Sequence, residues 1–367
     1  MVATVSKIPA TEAREGSWGL ARSVSCLWPP KPIPSKTKRA TRPTKPIPQY
    51  LIDEAAKTVR KPFDAETHLN YQPPTRIYTM AEIGLEGHGI APNAVCEPFQ
   101  LFTPEAVEQM RAEIFSEPVL RDFQYTSGFI KNMIRGMGPD IAPFIHTAWR
   151  SPELLAKVSA IAGTELIPAI DFDIGNVNVS INDAGENSVE HPNPVDQEKE
   201  ASTSAVAWHY DSFPFVVVTM LSNCTGMIGG ETALRLPNGE TKVVRGPAQG
   251  TAVVMQGRYI EHQALKAFGG RERLAMVTSF RAKDPLSRDE TVLTGVRGIC
   301  NLSTLYHQYT ECRLEILEER IRHFQKMERR REIAKRPYDI AAARRWLSEQ
   351  KEFLEDMLEE IYEIGED

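Results

Sequence analysis

Two histidines and one aspartate have the spacing of a metal-binding site. His209 and Asp211 are separated by a single residue, and His262 follows 51 residues after the aspartate. Residues two apart on a β-strand point to the same side, so the imidazole of His209 and the carboxylate of Asp211 can hold one metal ion together. A third ligand from His262 completes a two-histidine, one-carboxylate facial triad, which leaves coordination positions open on Fe(II) for other ligands.

Apolar segments next to these residues predict the strands that position them. One run, 205–208, comes directly before the His-x-Asp motif and another, 213–221, comes after it, while 251–255 precedes His262 and 273–280 follows it. Most of their residues are apolar, with many β-branched and aromatic side chains, as is typical of strands in a buried sheet. We therefore expect the candidate metal ligands on or beside a rigid sheet rather than in a mobile tail.

The segment between the ligands has the pattern of antiparallel β structure. Two short runs, 231–236 and 240–245, are joined across Asn238 and Gly239. Asn-Gly between two such runs is a strong hairpin signal, and short strands at intervals of roughly ten residues are typical of sandwiches and barrels. We therefore predict a mixed α+β chain whose core is a double-stranded β-helix, the jelly-roll that holds metals at its open end, flanked by N-terminal helices and a C-terminal pair of long helices.

Arg273 lies eleven residues after His262 and begins a predicted strand. Alternate residues of a strand share a face, so if this face lines the interior the guanidinium is a buried cation that needs an anion. Its planar fork of five donors suits bidentate binding of a carboxylate. The alternative is an exposed charge at the strand edge, grouped with Arg271 and Glu272.

Together these residues resemble the Fe(II)- and 2-oxoglutarate-dependent oxygenases. The pattern of that family is His-x-Asp, a gap of about fifty residues and a second His, which together form the facial triad. An Arg follows about ten residues further on. Here the matching positions are His209, Asp211, His262 and Arg273. The resemblance covers roughly residues 95–285.

Two details refine this resemblance. The stretch from Trp208 to Pro214 and the stretch 262–285 are similar to fungal members of the family that belong to secondary metabolism. One departure is Ala275, two residues after the Arg, where many relatives carry Ser or Thr. Alanine at this position removes one hydroxyl donor to the cosubstrate without removing the salt bridge.

The resemblance implies a role for each matched residue. His209, Asp211 and His262 would bind Fe(II), with 2-oxoglutarate and dioxygen as cosubstrates, and Arg273 would pair with the distal carboxylate of 2-oxoglutarate. The implied reaction oxidises a C–H bond of a small molecule, such as an amino acid or a biosynthetic intermediate, and releases succinate and CO2. Its outcome would be hydroxylation, desaturation or oxidative cyclisation. Halogenation is not expected, because the halogenases of the family lack the carboxylate that Asp211 supplies.

Two polar residues are further candidates for cosubstrate binding. The run 176–181 alternates polar and apolar residues, so Asn178 and Ser180 share a face. In the family, a strand shortly before the His-x-Asp motif often contacts 2-oxoglutarate, which implies this role for both residues. The same alternation also fits an edge strand with one face in water.

Charge and proline content divide the chain into three parts. Residues 1–50 are rich in proline and hold nine Lys or Arg against two Glu, so they carry a net charge of +7 while the whole chain carries −6. We expect a basic, extended arm over 1–50, an oxygenase domain with helical support over 51–300, and a helical extension over 301–367. The polar stretch 182–203 fits either a lid over the substrate or a surface insertion.

Two amphipathic helices are predicted in the extension, one over 303–336 and one from Asp339 onward, with Pro337 between them. Their apolar stripes fit either a hairpin packed over the barrel or a homodimer with a second chain. The helices also suggest an alternative function, in which a catalytically idle, metal-stabilised jelly-roll serves as an interaction or assembly module.

The composition limits the partners of the chain. No apolar run reaches the roughly 18 residues that a membrane span requires. The basic arm lacks the interleaved aromatic residues expected of a nucleic-acid tail. The five cysteines have no Cys-x-x-Cys spacing, which indicates neither a zinc site nor a disulfide framework. We expect a cytoplasmic protein that acts on a small molecule.

Arg135 and His146 are candidate contacts for that substrate. A single Arg or His in such a region more often has a structural role.

Overall fold

A computed structural model of the protein describes residues 42–127, 130–181, 204–244, 248–268 and 270–363. Most of the predicted N-terminal arm and the whole stretch 182–203 lie outside the described residues. Within them the helices are α1 (Gln49–Lys57), α2 (Ala65–His68), α3 (Pro104–Ile114), α4 (Glu117–Asp122), α5 (Gly138–Ile141), α6 (Pro143–Arg150), α7 (Pro152–Ala162), α8 (Leu302–Ile333) and α9 (Ile340–Glu360).

The strands occupy the middle of the chain. They are β1 (Ile77–Thr79), β2 (Asn93–Cys96), β3 (Phe99–Gln100), β4 (Gln124–Tyr125), β5 (Met133–Ile134), β6 (Leu166–Pro168), β7 (Asn176–Ile181), β8 (Ser204–His209), β9 (Phe215–Met220), β10 (Ile228–Gly229), β11 (Thr232–Arg235), β12 (Thr241–Val244), β13 (Thr251–Met255), β14 (His262–Leu265), β15 (Ala267–Phe268) and β16 (Glu272–Ala282). Every pairing between them is antiparallel.

These strands form two main sheets. The larger has the order β1-β2-β13-β9-β16-β7-β5-β4, with β3 beside β13 and β6 beside β16. The smaller has the order β12-β11-β14-β8, and β10 pairs separately with β15. The predicted mixed α+β chain with extensive antiparallel sheet is confirmed. The hairpin predicted across Asn238 and Gly239 is also confirmed, since β11 pairs with β12.

The two faces of the larger sheet carry different side chains, because residues alternate along each strand. On β16, Leu274 and Phe280 lie in the hydrophobic core together with Met110 of α3 and Trp149 of α6. The rings of Trp149 and Phe280 meet edge to face, with their centroids 5.8 Å apart. The helices therefore cover one face, and the alternate residues of β16, beginning with Arg273, lie on the other.

Both sheets contribute to the same core. Leu234 and Val244 of the smaller sheet belong to one buried apolar cluster with Val216 and Met255 of the larger sheet. Burying each aliphatic side chain of this size stabilises the fold by about 1.5–3 kcal/mol. The shared core therefore holds the strands that carry the candidate ligands in fixed positions relative to the larger sheet.

Both predicted C-terminal helices are present. α8 is 32 residues long, and α9 begins after Asp339, whose side chain accepts a hydrogen bond from the N–H of Ala342 at 2.9 Å. The rings of Phe324 and Trp346 stack with centroids 4.3 Å apart, so the two helices form a hairpin. Neither of them, nor any other helix in the described ranges, has the length and apolar character to cross a membrane.

The hairpin packs against the rest of the protein through apolar residues and a buried charge. Ile316 and Phe353 share an apolar cluster with Phe213, which lies two residues after Asp211 in the sequence. Arg313 forms an ion pair with Asp289 at 3.3 Å and donates to the carbonyl of Phe353 at 2.9 Å. The hairpin therefore covers the sheet domain, which is one of the two predicted arrangements; homodimerisation stays a prediction.

Candidate metal centre

Strand register brings the two histidines together. β14 and β8 are neighbours in the smaller sheet, and His262 is the direct cross-strand partner of His209. Side chains of directly opposite residues project from the same face of an antiparallel pair. The two imidazole centroids are accordingly 4.3 Å apart, although the residues are distant in the sequence.

Main-chain hydrogen bonds set the orientation of both imidazoles. Nδ1 of His209 lies 2.7 Å from the carbonyl oxygen of Ala207, and Nδ1 of His262 lies 2.9 Å from that of Ile260. Because a carbonyl oxygen only accepts, each Nδ1 carries the proton and each Nε2 presents its lone pair. A hydrogen bond at the other ring nitrogen is the usual way in which a protein prepares a histidine for metal binding.

Asp211 lies just beyond the end of β8, whereas its spacing from His209 predicts a position on the strand. Its backbone N–H donates to the carbonyl of Gly257 at 3.0 Å, which ties it to the turn after β13. Its Oδ1 is 3.6 Å from Nε2 of His209, and its Oδ2 is 3.4 Å from Nε2 of His262. The carboxylate therefore joins the two imidazoles, and these three residues are called the triad below.

Gly257 makes room for the carboxylate of the triad. A Cβ atom at this position would lie only 1.8 Å from Oδ2 of Asp211 and 2.7 Å from its Cγ. Real Cβ atoms do not approach other heavy atoms so closely, so any larger residue would displace the carboxylate or the turn. The same residue thus supports Asp211 twice, through its carbonyl oxygen and through its missing side chain.

The triad fits a divalent metal ion. One ligand atom from each residue lies within 4.8 Å of the others, and in the described part of the chain no other group of three or more His, Cys, Asp or Glu meets this condition. Oδ2 of Asp211 is buried and has no hydrogen-bond partner among the described residues, which is costly unless it binds a cation. Two imidazole nitrogens and a carboxylate oxygen are the donor set of the Fe(II) facial triad.

Burial and charge interactions shift the pKa of each residue of the triad in a different way. Burial would raise the pKa of Asp211, but the charge of His262 and the hydrogen bond and charge of His209 outweigh it, so the pKa lies below its usual value. Burial lowers the pKa of His262. Burial also acts to lower the pKa of His209, but the hydrogen bond and charge of Asp211 prevail and raise it. At neutral pH Asp211 is therefore ionised and His262 neutral, as metal binding requires, whereas the charged form of His209 is favoured and its proton would have to leave when a metal ion binds.

Arg273 is separated from the charged residues beside it. The side chain of Arg271 is 58 % exposed, and Glu272 pairs with Arg111 at 3.1 Å. Arg273 is more buried: its Nε is buried without a hydrogen-bond partner, and its Nη2 donates to the carbonyl of Gly230 at 3.2 Å. Among the described residues it forms no ion pair, and burial lowers its pKa. Arg273 therefore does not belong to an exposed charge cluster and retains donors for an anion.

The pairing of β7 with β16 places the predicted cosubstrate residues side by side. Ser180 is the direct partner of Arg273, and Asn178 is the direct partner of Ala275. Residues opposite one another share a face, so these side chains project from the same face as Arg273. Asn178 is half-buried and Ser180 is exposed. Their contact with 2-oxoglutarate stays a prediction.

Arg135 and His146, the two candidate substrate contacts, have partners within the protein. Arg135 forms an ion pair with the buried Asp173 at 2.6 Å. His146 is buried in α6, its Nδ1 lies 3.1 Å from Nη1 of Arg150, and burial lowers its pKa to about 4. These contacts favour the structural role that such residues usually have.

Two residues near the triad have no signal in the sequence. Burial is the main cause of the raised pKa of Asp173, and the charge of Asp211 is a smaller cause in the same direction. A second carboxylate therefore lies within electrostatic range of the triad. Gly257 has the sequence context of an ordinary turn. Both roles arise from contacts between segments far apart in the chain, which neither spacing nor periodicity reveals.

No protein-family description matches the sequence, and no curated protein matches it. Solved structures with partial similarity include AviO1 from Streptomyces viridochromogenes, at 14% identity and a TM-score of 0.36, with 58% of this chain and 98% of that chain covered. The complex of the non-haem monooxygenase ThoJ with nickel has 14% identity and a TM-score of 0.34, with 62% and 96% covered.

A third similar structure is an oxidoreductase of the 2OG-Fe(II) oxygenase family from Burkholderia pseudomallei. It has 16% identity and a TM-score of 0.29, with 41% of this chain and 65% of that chain covered, so this chain spans slightly less than two thirds of its length. Identities and TM-scores this low do not establish a family.

Proposed function

We propose that this chain is a non-haem, Fe(II)- and 2-oxoglutarate-dependent oxygenase built on a double-stranded β-helix, and that it oxidises a C–H bond of a small molecule. The observation that carries the proposal is the convergence of two Nε2 atoms and one carboxylate within 4.8 Å, with both imidazoles oriented by the main chain. Arg273, a half-buried cation with spare donors, adds a site for the distal carboxylate of 2-oxoglutarate.

Each residue of the site would have a distinct task. When bound, Fe(II) would supply the coupling of dioxygen reduction and 2-oxoglutarate decarboxylation to substrate oxidation. The triad would hold the ion from one side and leave the remaining positions open. Arg273 would fix the cosubstrate through paired N–H donors, with Asn178 and Ser180 beside it on the same face. Ala275 provides no hydroxyl there, so we expect the guanidinium to contribute most of the binding free energy for the distal carboxylate.

The stoichiometry of the proposed reaction is that of a dioxygenase. For hydroxylation, a substrate C–H bond, 2-oxoglutarate and O2 give an alcohol, succinate and CO2, with one oxygen atom in the alcohol and the other in succinate. Desaturation and oxidative cyclisation use the same oxidant but add no oxygen to the product, so the second oxygen atom leaves as water. Asp211 supplies the carboxylate that the halogenases of the family lack, which argues against halogenation.

The narrower assignments rest on sequence resemblance. The stretches 208–214 and 262–285 resemble fungal enzymes of secondary metabolism, which supports an amino acid or biosynthetic intermediate as substrate. The scattered cysteines support a reducing, cytoplasmic location. The alternative, an idle jelly-roll used for assembly, accounts for the metal ligands but gives no role to the spare donors of Arg273. We therefore favour the enzyme.

Succinate formation tests the proposal directly. The full chain is freed of metal, loaded with Fe(II), and supplied with 2-oxoglutarate, O2 and a panel of amino acids and small carboxylates. We expect at least one compound to stimulate succinate formation and to be consumed with it. His209→Ala should abolish both, because two ligands rarely retain the ion, whereas His323→Ala, which removes an exposed imidazole on α8, should change neither.

Binding measurements separate the two candidate functions. Calorimetric titration with Mn(II), followed by 2-oxoglutarate, should show both ligands binding to the unmodified chain and neither binding tightly to His209→Ala. A chain that binds Mn(II) but neither binds nor consumes 2-oxoglutarate would contradict the oxygenase and support the assembly module. A chain that binds no divalent ion would contradict both.

A further inference from the structure

Residues 289–297 lie between β16 and α8 and are called the bridging segment below. The segment contacts the chain directly beside the carboxylate of the triad. The N–H of Val292 donates to the carbonyl of Ser212 at 2.9 Å, and Ser212 is the residue that follows Asp211. The bridging segment therefore holds the main chain on one side of Asp211.

The same segment holds the turn that supports Asp211 from its other side. The carbonyl of Gly257 accepts from the N–H of Asp211, and Arg258 is the next residue along the turn. Nε of Arg258 donates to the carbonyl of Glu290 at 2.8 Å, and the whole residue is only 4% exposed. The two stretches of main chain that hold the carboxylate are therefore both attached to the bridging segment by hydrogen bonds.

The C-terminal hairpin holds the bridging segment in turn. At the start of the segment, Asp289 pairs with Arg313 of α8 at 3.3 Å. Further along, the N–H of Leu293 donates to Oε2 of Glu360, the last residue of α9, at 2.7 Å. Arg297 pairs with the same carboxylate. Leu293 and Arg297 are buried, so losing these partners would leave polar groups unsatisfied away from water.

Apolar contacts follow the same path from the hairpin to the triad. Phe213, two residues after Asp211, shares a buried cluster with Leu293 and Val296 of the bridging segment and with Phe353 of α9. Close-packed interiors have low compressibility and transmit displacements from one side chain to the next. A shift of the hairpin would therefore move the chain beside Asp211.

We propose, on the basis of the metal centre proposed above, that the C-terminal hairpin positions Asp211 for metal binding through the bridging segment, with Arg258 and Glu360 as positioning residues. Neither of them belongs to the triad, so each would act only through the place of the carboxylate. Metal–ligand distances vary by only about 0.2 Å, so a small displacement of Asp211 weakens binding. The hairpin is then a part of the metal centre and not a separate module for assembly.

Arg258→Met tests the contact between the turn and the bridging segment. The variant removes the hydrogen bond to Glu290 and changes no residue of the triad. Calorimetric titration of the metal-free full chain with Mn(II) should give a dissociation constant about 10- to 100-fold above that of the unmodified chain, as is typical when a group that orients a metal ligand is lost. Val107→Ala, which leaves a cavity in the core at α3, is the control for a general loss of stability. It should lower the urea midpoint and leave the Mn(II) affinity unchanged.

A double variant tests the contact between the bridging segment and the hairpin. Glu360→Ala with Arg297→Met removes a buried carboxylate and its cation together, so neither charge is left unpaired. The N–H of Leu293 then loses its acceptor, and the dissociation constant of Mn(II) should rise about tenfold or more. The matched control is Glu318→Ala with Arg322→Met, which removes an exposed ion pair of α8 and should leave the affinity unchanged. Both double variants should keep the helix content of the unmodified chain by circular dichroism.

The outcomes separate a failure of this positioning role from a failure of the oxygenase. Mn(II) affinity that is unchanged in either Arg258→Met or the Glu360 double variant, alongside a lower urea midpoint, would show a purely structural role and overturn the proposal. A chain with the expected losses of affinity that forms no succinate would support the positioning role and contradict the oxygenase. An unmodified chain that binds no Mn(II) would overturn the positioning role together with the metal centre.

Discussion

Two arginines in different regions of this protein differ in how far their own chain satisfies their hydrogen-bond donors. At the C-terminal hairpin, Arg297 donates to the carbonyl of Glu360 at 2.8 Å and to the hydroxyl of Tyr362 at 3.1 Å, and it also pairs with the carboxylate of Glu360. In the larger sheet, Arg273 donates to the carbonyl of Gly230 and makes no ion pair with the described residues. The first guanidinium is saturated by its own chain, and the second is not.

This is the difference expected between a charge that stabilises the fold and one that binds a ligand. A buried cation without an anion destabilises a fold, so a protein keeps it only where a ligand supplies the missing charge. A saturated cation contributes through its neighbours and becomes costly only when one of them is removed. Replacing a saturated arginine at the hairpin should therefore lower the free energy of unfolding, whereas replacing Arg273 should weaken ligand binding.

The largest effect is expected at the hairpin, from Arg313→Met. This change leaves Asp289 as a buried carboxylate without its cation, which should lower the free energy of unfolding by about 3–5 kcal/mol. Urea denaturation measures the loss. The control is Arg322→Met, which breaks an exposed pair with Glu318 and should cost less than about 0.5 kcal/mol. Equal losses in both variants would remove the distinction between buried and surface charge.

At the triad, Gly257→Ala should reduce turnover by about 100-fold and weaken Mn(II) binding, because a displacement of about 1 Å at a catalytic centre has effects of this size. The added methyl group would overlap Oδ2 of Asp211. Gly295→Ala is the matched change, since its methyl group would meet only the hydroxyl of Ser212 at 3.0 Å. Normal metal binding by Gly257→Ala would show that the carboxylate can move aside without loss.

Arg273→Gln should raise the concentration of 2-oxoglutarate needed for half-maximal succinate formation by about 10- to 100-fold, which corresponds to the loss of a hydrogen bond to a charged group. Mn(II) affinity and the free energy of unfolding should hardly change, in contrast to Arg313→Met. Arg271→Gln, at the exposed neighbour, should leave all three quantities as they are. If Arg271→Gln has the larger effect on 2-oxoglutarate, Arg273 is not the cosubstrate ligand.

The smallest effect concerns acid stability. Burial would raise the pKa of Asp289, but the charge of Arg313 and hydrogen bonds from Thr291 outweigh it, so the pKa lies below its usual value. The unfolded chain then binds more protons at this residue, and the stabilisation is present above the ordinary carboxylate pKa and lost as the pH falls through the lowered one. Melting temperatures between pH 7 and about 3 should fall more steeply for the unmodified chain than for Asp289→Asn.

Much of the site could be predicted from the sequence because its parts have local signals. β7 and β13 have the predicted bounds, and the strand that carries Arg273 contains the predicted run 273–280. His262 itself lies on β14, for which the sequence predicted only a position beside the sheet. Asp339 lies at the predicted start of a helix, where its side chain accepts a hydrogen bond from the N–H of Ala342. Each of these features depends on residues within a few positions of one another, which is the range over which periodicity and capping patterns act.

The remaining features depend on contacts between distant segments. Asp211 leaves the strand because its N–H bonds to Gly257, and the requirement for glycine there comes from a carboxylate 46 positions away. Arg273 lies apart from Arg271 because the side chain of Arg271 is exposed and contacts a different part of the fold. No pattern within a few residues of the sequence records a contact between distant segments. The sequence therefore allowed both environments of Arg273, the buried and the exposed.

The place of β8 in the smaller sheet leaves one histidine of the triad more accessible to solvent than the other. Among the described residues β8 is the outermost strand, whereas β14 has neighbours on both sides. Accordingly the side chain of His209 is 37% exposed and that of His262 only 9%. If the triad holds a metal ion as proposed, His209 is the ligand that solvent and chelators reach first, so chelators should remove the ion from the side of the edge strand.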